Sequence, residues 1–365
     1  MNSYAIIMAG GVGARFWPYG TNKLPKQFLP VTNSADTMLQ LTVKRIKELI
    51  PLERIFISTN SQYISEVKKQ VPKIPSENII GEPVGRNTAP CIGLASIMLR
   101  QFDEKAKMFV TPADHLIEDL DEFHRVINAG LEFVEKRDAI VTLGIVPTHP
   151  ETGYGYIQFI EDAVFTIGED EKNNVSIFKV KTFAEKPNYE SAKVFLESGD
   201  FLWNSGMFLF RSDVILGEMQ KSLPDLYHAL GKIEKSIHTN KFQATLDQVF
   251  AEIKGISIDY GVMEKSKKVY VIKANFKWSD LGSWDEVFRI KTKDKNNNVL
   301  IGDSYSKDSK NNLVMSPKGF IGLIGVEDMI IINTKEGLLI CRKERSQEVK
   351  EIVDYLKRKG LIDNI

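Results

Sequence analysis

The feature that most constrains this chain is an apolar run, Tyr4–Ala9, that passes directly into Gly10-Gly11-Val12-Gly13-Ala14-Arg15. A run of this kind, bounded by glycine, reads as a buried strand. Closely spaced glycines let backbone N–H groups approach an anion with no Cβ in the way, and successive amides form an anion-binding nest. Arg15 adds a fixed fork of donors suited to phosphate oxygens. An ordinary tight turn between a strand and a helix would carry the same glycines. The spacing excludes two familiar alternatives. Arg15 and Phe16 occupy the positions where a Walker A loop needs its second glycine, and Phe16 replaces the third glycine of Gly-x-Gly-x-x-Gly. The broken dinucleotide fingerprint disfavours an NAD-dependent dehydrogenase.

Strand-like and helix-like patterns alternate after this turn. Tyr4–Ala9, Arg54–Thr59, Lys107–Thr111 and Ala139–Val146 read as buried strands. In Thr37–Ile50 the residues Leu39, Val43, Ile46 and Ile50 recur at helical spacing, and Pro51 ends the pattern. A second helix is expected to start at Pro90 and to bury Ile92, Ala95 and Leu99. Such alternation implies a parallel sheet covered on both faces. Further strands are expected at Val175–Ala184, Gly206–Phe210 and Lys268–Ala274, with Ser222–Lys254 helical as a cap over the sheet. Lys293–Asn298 is the linker candidate. Beyond it, Asn298–Ile301, Leu313–Ser316, Phe320–Val326, Met329–Asn333 and Leu338–Cys341 are short strands without intervening helices, the pattern of a small β-solenoid or sandwich. A last helix is expected from near Ser346, burying Val349, Ile352, Val353 and Leu356 and ending at Gly360.

At 365 residues the chain has the length of one large domain plus a small one. Lys and Arg total 48 and Asp and Glu total 48, so there is no general electrostatic reason to bind nucleic acid or an anionic membrane. Anionic ligands must then be held by a few local cations. Cys91 and Cys341 have no metal or redox spacing, and two thiols make no disulfide framework. The N-terminal apolar run stops too soon for a signal peptide and lacks a basic lead, and no run reaches the roughly 20 residues of a membrane span. The expected compartment is the cytosol.

Pro25-Lys26-Gln27-Phe28 places one lysine in a proline-bracketed loop. Lysines are usually solvated surface residues, but strand, glycine turn, arginine and Pro-Lys together form a pattern. Here the chain resembles the sugar-nucleotidylyltransferase superfamily. The text Gly10-Gly11-x-Gly13-x-Arg15-x-Trp17-Pro18 followed by Pro25-Lys26-Gln27-Phe28 is most similar to its mannose-1-phosphate guanylyltransferases (GDP-mannose pyrophosphorylases). The likeness continues through Glu82-Pro83-Val84-Gly85-Arg86-Asn87-Thr88-Ala89-Pro90, Met108–His115, Gly153-Tyr154-Gly155-Tyr156, Phe183–Pro187, Trp203–Phe208, Ser257–Lys265 and Trp278–Trp284. It covers Tyr4 to Phe288 well and the remainder more loosely.

The resemblance implies an α/β fold. A Rossmann-like nucleotidyltransferase domain with a mixed, mostly parallel sheet would span 1–292, with a GTP-binding part at 1–140 and a sugar-phosphate part at 141–292. A small C-terminal β-helix-like domain with a terminal helix would span 293–365. It implies transfer of GMP from GTP to mannose 1-phosphate with Mg²⁺ as cofactor. Ala9, Gly10, Gly11, Gly13 and Arg15 would hold the triphosphate, with Glu82, Arg86, Asn87 and Thr88 beside the base and ribose. A carboxylate at 82 could accept from the N1 and N2 donors of guanine, and Thr88 and Pro90 also suit a helix start. Gly153, Tyr154, Glu185, Lys186 and Asn204 would hold the sugar phosphate, and Asp114 and Asp280 the metal. Arg15, Lys26 and Lys186 would be catalytic. His115 is expected in a structural or supporting role, because this chemistry needs no histidine.

Two departures stand out. Tyr19-Gly20-Thr21 follows Trp17-Pro18 where the family has a small residue, serine and arginine, and Phe16 replaces a common leucine. The chain ends before any cupin-like segment, so a form without a phosphomannose isomerase domain is expected. A homodimer is left open, with no nucleic-acid or membrane partner. The alternatives are another sugar 1-phosphate such as a heptose, another nucleoside triphosphate, or a non-catalytic sugar-nucleotide-binding regulatory subunit.

Overall fold

In a computed structural model of the protein, which describes residues 2–11, 14–168 and 174–361, the first apolar run forms the strand Ser3–Met8. Tyr4 and Ile6 point to one face, into a core with Phe56, Met108 and Val110. The intervening residues are just as buried, so both faces of the strand are covered. Contacts divide the chain into two units: Met1–Gly10, Val43–Pro112 and Ile117–Trp278 form one, and Gly11–Thr42, Ala113–Leu116 and Ser279–Ile365 the other.

The first unit is built on a nine-stranded sheet in the order Ile79–Glu82, Ile55–Asn60, Ser3–Met8, Lys107–Pro112, Phe201–Arg211, Ile140–Ile145, Val269–Ala274, Val175–Glu185, Gly155–Ile167. The first four are parallel, with Ile6 opposite Phe56 and Val110. Phe201–Arg211 then enters antiparallel between Lys107–Pro112 and Ile140–Ile145, which makes the sheet mixed. One face carries the helices Thr88–Arg100, Ser212–Ser222, Pro224–Glu234 and Phe242–Glu252. On the other, Phe109 meets Phe123 of the helix Leu120–Lys136 with ring centroids 6.0 Å apart. The helix expected from Pro90 begins at Thr88, because the Asn87 side chain accepts from the Thr88 N–H at 2.8 Å and caps it. The edge strand Ile79–Glu82 and the strand Gly155–Ile167, which pairs with both Val175–Glu185 and Phe201–Arg211, are additions to the sequence expectation.

In the second unit Val299–Lys307, Leu313–Ile324 and Met329–Asn333 pair parallel, coil on coil, and Leu338–Arg342 closes the set antiparallel. Parallel pairing of consecutive strands is the solenoid arrangement. Leu313–Ser316 and Phe320–Val326, expected as two strands, belong to one, bent at Gly319 with φ +99°. A buried asparagine ladder joins the coils. Asn298 Oδ1 accepts from both the backbone N–H and Nδ2 of Asn312 at 3.0 Å, and Asn312 Oδ1 accepts from the Met329 N–H at 2.9 Å. Phe16, Trp17, Leu29, Trp284 and Phe288 share a single core with Val299, Leu313 and Ile330, so residues 11–42, 113–116 and 279–292 group with the strands beyond 293. In the terminal helix Val349–Arg358, Val349 and Val353 are buried, whereas Ile352, expected in the buried stripe, is 36% exposed. Position 352 falls beside the two-valine face rather than on it. Gly360 at φ +71° ends the helix as expected. Among the described residues no helix is long and apolar enough to cross a membrane.

Candidate active site

The second unit contains a cavity of about 330 Å³ beside the glycine turn. Its lining brings together five expected site residues: Gly11, Arg15, Lys26, Asp114 and Asp280. Lys26 starts a short 3₁₀ turn after Pro25 and is only 6% exposed. Its ammonium donates to Asp114 Oδ2 at 2.8 Å and to the Asp280 carbonyl, so one lysine ties together the segments carrying both aspartates. Burial alone would raise the Asp114 pKa, but the Lys26 ammonium, helped by His115 and by hydrogen bonds, holds it below the usual carboxylate value. His115 also lines this cavity.

The Asp280 loop is held from below. Ser283 and Glu286 form the capping pattern Ser-x-x-Glu at the helix Trp284–Ile290. Glu286 Oε2 accepts from Ser279 Oγ at 2.9 Å and from the Gly282 N–H at 3.0 Å. Burial, then the charge of Asp280, raise the Glu286 pKa. Leu281 sits at φ +45°, a region that costs a branched side chain roughly 1 kcal/mol or more and recurs at functional sites. Beneath the cavity Phe16 packs on Trp284 with centroids 5.1 Å apart, and Lys26 lies 5.7 Å from the Phe16 ring centre. Glu286 is an addition to the sequence expectation, although Ser283-Trp284-Asp285-Glu286 is a legible capping signal.

Gly10 and Gly11 are exposed, and among the described residues a Cβ at either would meet nothing within 4 Å beyond its chain neighbours. Internal packing therefore does not demand glycine at either position. Ala9 is buried and anchors the turn, its N–H donating to the Ser58 carbonyl at 2.7 Å and its carbonyl accepting from Thr59 Oγ1 at 2.9 Å. Gly13 lies outside the described residues.

In the first unit the base-side residues are tied into the fold. Glu82 is 5% exposed and accepts from Ser58 Oγ at 2.8 Å; burial raises its pKa. Arg86 donates Nε and Nη2 to the carbonyls of Phe250 and Ala251 at 2.7 and 2.8 Å. Asn87 adopts φ +70°, an uncommon conformation for a residue other than glycine, and Thr88 Oγ1 accepts from the Ile258 N–H at 2.8 Å.

The sugar-side residues also come together within the first unit. Gly155 stands opposite Glu185 across two paired strands, and a Cβ there would lie 2.4 Å from Glu185 Oε2. A side chain at 155 would have to push the Glu185 carboxylate aside, and this glycine belongs to the Gly153-Tyr154-Gly155-Tyr156 segment expected to approach the sugar. Glu185 pairs with Lys186 at 3.0 Å, and Lys186 holds φ +49°. The Tyr154 ring lies edge-on to Trp203 and Trp278, each at 5.2 Å. Gly153 donates its N–H to Glu151 at 2.8 Å. Asn204 accepts from the Gly206 N–H at 3.1 Å and donates to Asp259 Oδ1 at 2.7 Å. Asp259 is a further addition to the expected site residues. It opens a short π-helical stretch, Asp259–Met263, a feature frequent at functional sites. Burial and the neighbouring Glu185 carboxylate push its pKa up to about 6.

Comparison with known proteins agrees with this architecture. Residues 4–297 match the nucleotidyl transferase family model, and residues 302–356 match the MannoseP isomerase/GMP-like β-helix domain. A mannose-1-phosphate guanylyltransferase of Salmonella muenchen is 42% identical over 357 residues, 96% of this chain and 73% of that protein. One from Klebsiella pneumoniae is 38% identical over 359 residues, 97% of this chain and 74% of that protein. A crystal structure from Thermus thermophilus, described as a mannose-1-phosphate geranyltransferase, superposes with a TM-score of 0.84 at 30% identity, over 98% of this chain and all of that one. The chain belongs to the nucleotidyl transferase family, among its mannose-1-phosphate guanylyltransferases.

Proposed function

We propose that this chain transfers GMP from GTP to α-D-mannose 1-phosphate, releasing pyrophosphate. A phosphate oxygen of the sugar phosphate attacks the α-phosphorus in line, a new P–O bond forms, and the bond from the α-phosphorus to the bridging oxygen of pyrophosphate breaks. A phosphate monoester has its second pKa near 6, so at pH 7 the nucleophile is mostly a dianion and no general base is needed. The barrier lies in bringing that dianion to a polyphosphate, and positioning and charge neutralisation lower it.

The observation that carries this reading is the buried Lys26, which ties the Asp114 and Asp280 segments together in a cavity that Gly11 and Arg15 also line. Arg15 and the Gly10–Gly13 amides are assigned to the triphosphate, and the openness around Gly10 and Gly11 favours close backbone approach by a ligand. Lys26 is assigned to the phosphates flanking the reacting centre and Lys186 to the sugar phosphate. Glu185, Asn204, Gly153 and Tyr154 take the sugar, with Asp259 added through its hydrogen bond to Asn204. Glu82, Arg86, Asn87 and Thr88 shape the guanine side, Arg86 chiefly by anchoring its own segment.

The donor set fits Mg²⁺. Among the described residues no group of three or more His, Cys, Asp or Glu is placed to hold a metal by itself. Magnesium needs only one or two carboxylates, with phosphate oxygens and waters completing the octahedron, and Asp114 and Asp280 line one cavity. When bound, the ion would neutralise phosphate charge at the reacting centre. The reaction is read in the cytosol, without nucleic-acid or membrane partners.

Pyrophosphate release tests the reading, with GTP and mannose 1-phosphate as the principal pair and UTP, ATP and glucose 1-phosphate as alternates. Release that requires GTP, mannose 1-phosphate and Mg²⁺ is expected. Release with another pair would keep the chemistry and move the specificity. No release from folded protein with any pair would overturn it.

A further inference from the structure

One lining residue of the phosphate cavity comes from the far end of the chain: Lys350, in the first turn of the terminal helix Val349–Arg358. Its placement is fixed by packing. Val349 and Val353 are each 2% exposed in the second unit's core, and the helix lies against Ala14–Phe16, the turn that carries Arg15. The lysine is exposed, and among the described residues no carboxylate pairs with it. Lys26, by contrast, is already engaged by Asp114.

Charge decides what this lysine does. The other charged residues lining the cavity are Arg15, Lys26, Asp114 and Asp280, two cations against two carboxylates. Counted with His115, which also lines the cavity, as neutral, those charges cancel and leave a polyanion no net attraction before a metal enters. Lys350 tips the balance to positive, and its ammonium is free to meet an incoming oxygen. A flexible lysine stem is suited to a phosphate as a mobile point charge rather than as a bidentate fork.

We propose that Lys350 is a phosphate-binding residue of this cavity. It adds the terminal helix's ammonium to the polyphosphate that Arg15 holds, the part that leaves as pyrophosphate. The inference rests on the phosphate role given to the cavity above, but not on which sugar or base the enzyme accepts. The terminal helix, which follows the solenoid strands, then contributes directly to the reaction through one side chain.

The test uses the full chain and inorganic pyrophosphate with Mg²⁺ as the probe, titrated calorimetrically. Lys350→Ala is expected to weaken pyrophosphate binding about tenfold, equivalent to roughly 1.4 kcal/mol. Its salt dependence should also become shallower. Lys350→Arg should stay within about threefold of the parent, because the charge is kept. Lys295→Ala, at an exposed lysine outside the cavity, should bind as the parent does. In turnover, Lys350→Ala should raise KM for GTP and leave KM for the sugar phosphate unchanged. Unchanged pyrophosphate affinity in Lys350→Ala, or no pyrophosphate binding by the parent, would overturn the assignment. A parent that binds pyrophosphate but transfers no GMP would instead overturn the proposed reaction and leave Lys350 in place.

Discussion

At the scale of single residues, the buried lysine of the cavity meets an opposite charge. Lys26 is buried, and a buried ammonium is tolerable only when paired. Lys26→Ala is expected to lower kcat by about 10²- to 10³-fold, the usual loss when one positioned donor is removed. Pyrophosphate release checks this, and turnover near the parent's would remove Lys26 from the mechanism. Asp259 makes a different prediction. Its pKa is raised to about 6, so the folded state resists its ionisation. In the unfolded chain it ionises near pH 4, and the destabilisation therefore grows as pH rises from about 4 through 6 and is absent below. Asp259→Asn keeps an acceptor for Asn204 and removes the charge. Its thermal midpoint relative to the parent should rise between pH 5 and pH 7.5 and level off above. A difference that is flat with pH would show that Asp259 is not held in this way.

At the scale of elements, the asparagine ladder carries the solenoid. Asn312 is fully buried; its Nδ2 donates to Asn298 at 3.0 Å and to the Val326 carbonyl at 2.8 Å, and its Oδ1 accepts from Met329. Asn312→Ala would leave the Met329 N–H without its acceptor, at roughly 1–3 kcal/mol, and would remove one of the two donors on Asn298 Oδ1 and on the Val326 carbonyl while emptying a fully buried site. A drop of more than about 2 kcal/mol in denaturant unfolding is expected. A loss below about 0.5 kcal/mol would mean that strand pairing alone holds the coils. Elements with one strong pattern were legible. Met329–Asn333 appears where its apolar run lies, and Ser3–Met8 within a residue of its expected bounds. Gly155–Ile167 was not, because its outer half alternates partly buried with exposed residues and its start looked like a binding loop. The bend at Gly319 hid the continuity of Leu313–Ile324, since a glycine inside an apolar run reads as a break.

At the scale of the whole molecule, what the sequence reading could reach depended on sequence distance. The glycine turn, Arg15 and Lys26 lie within a few residues of one another and read as one site. The aspartates were expected from resemblance, but only the fold shows that Asp114 and Asp280 line one cavity. Lys350 and Asp259 were missed because their roles exist only through contacts formed on folding, and no local pattern marks a lysine that happens to face a cavity; Glu286 carried a capping signal, but its hold on the Asp280 loop exists only in the fold. Leu281, Lys186 and Asn87 adopt unusual backbone conformations beside these groups, which no composition argument foretells.

In the proposed reaction GMP itself is transferred. The most direct measurement is ³¹P NMR of the parent protein with GTP, mannose 1-phosphate and Mg²⁺. A diphosphate diester signal from GDP-mannose is expected to grow in step with pyrophosphate, one for one, with neither signal from Lys26→Ala on the same timescale. Inorganic phosphate and GDP in place of that pair, or an unchanged spectrum from folded protein, would contradict it.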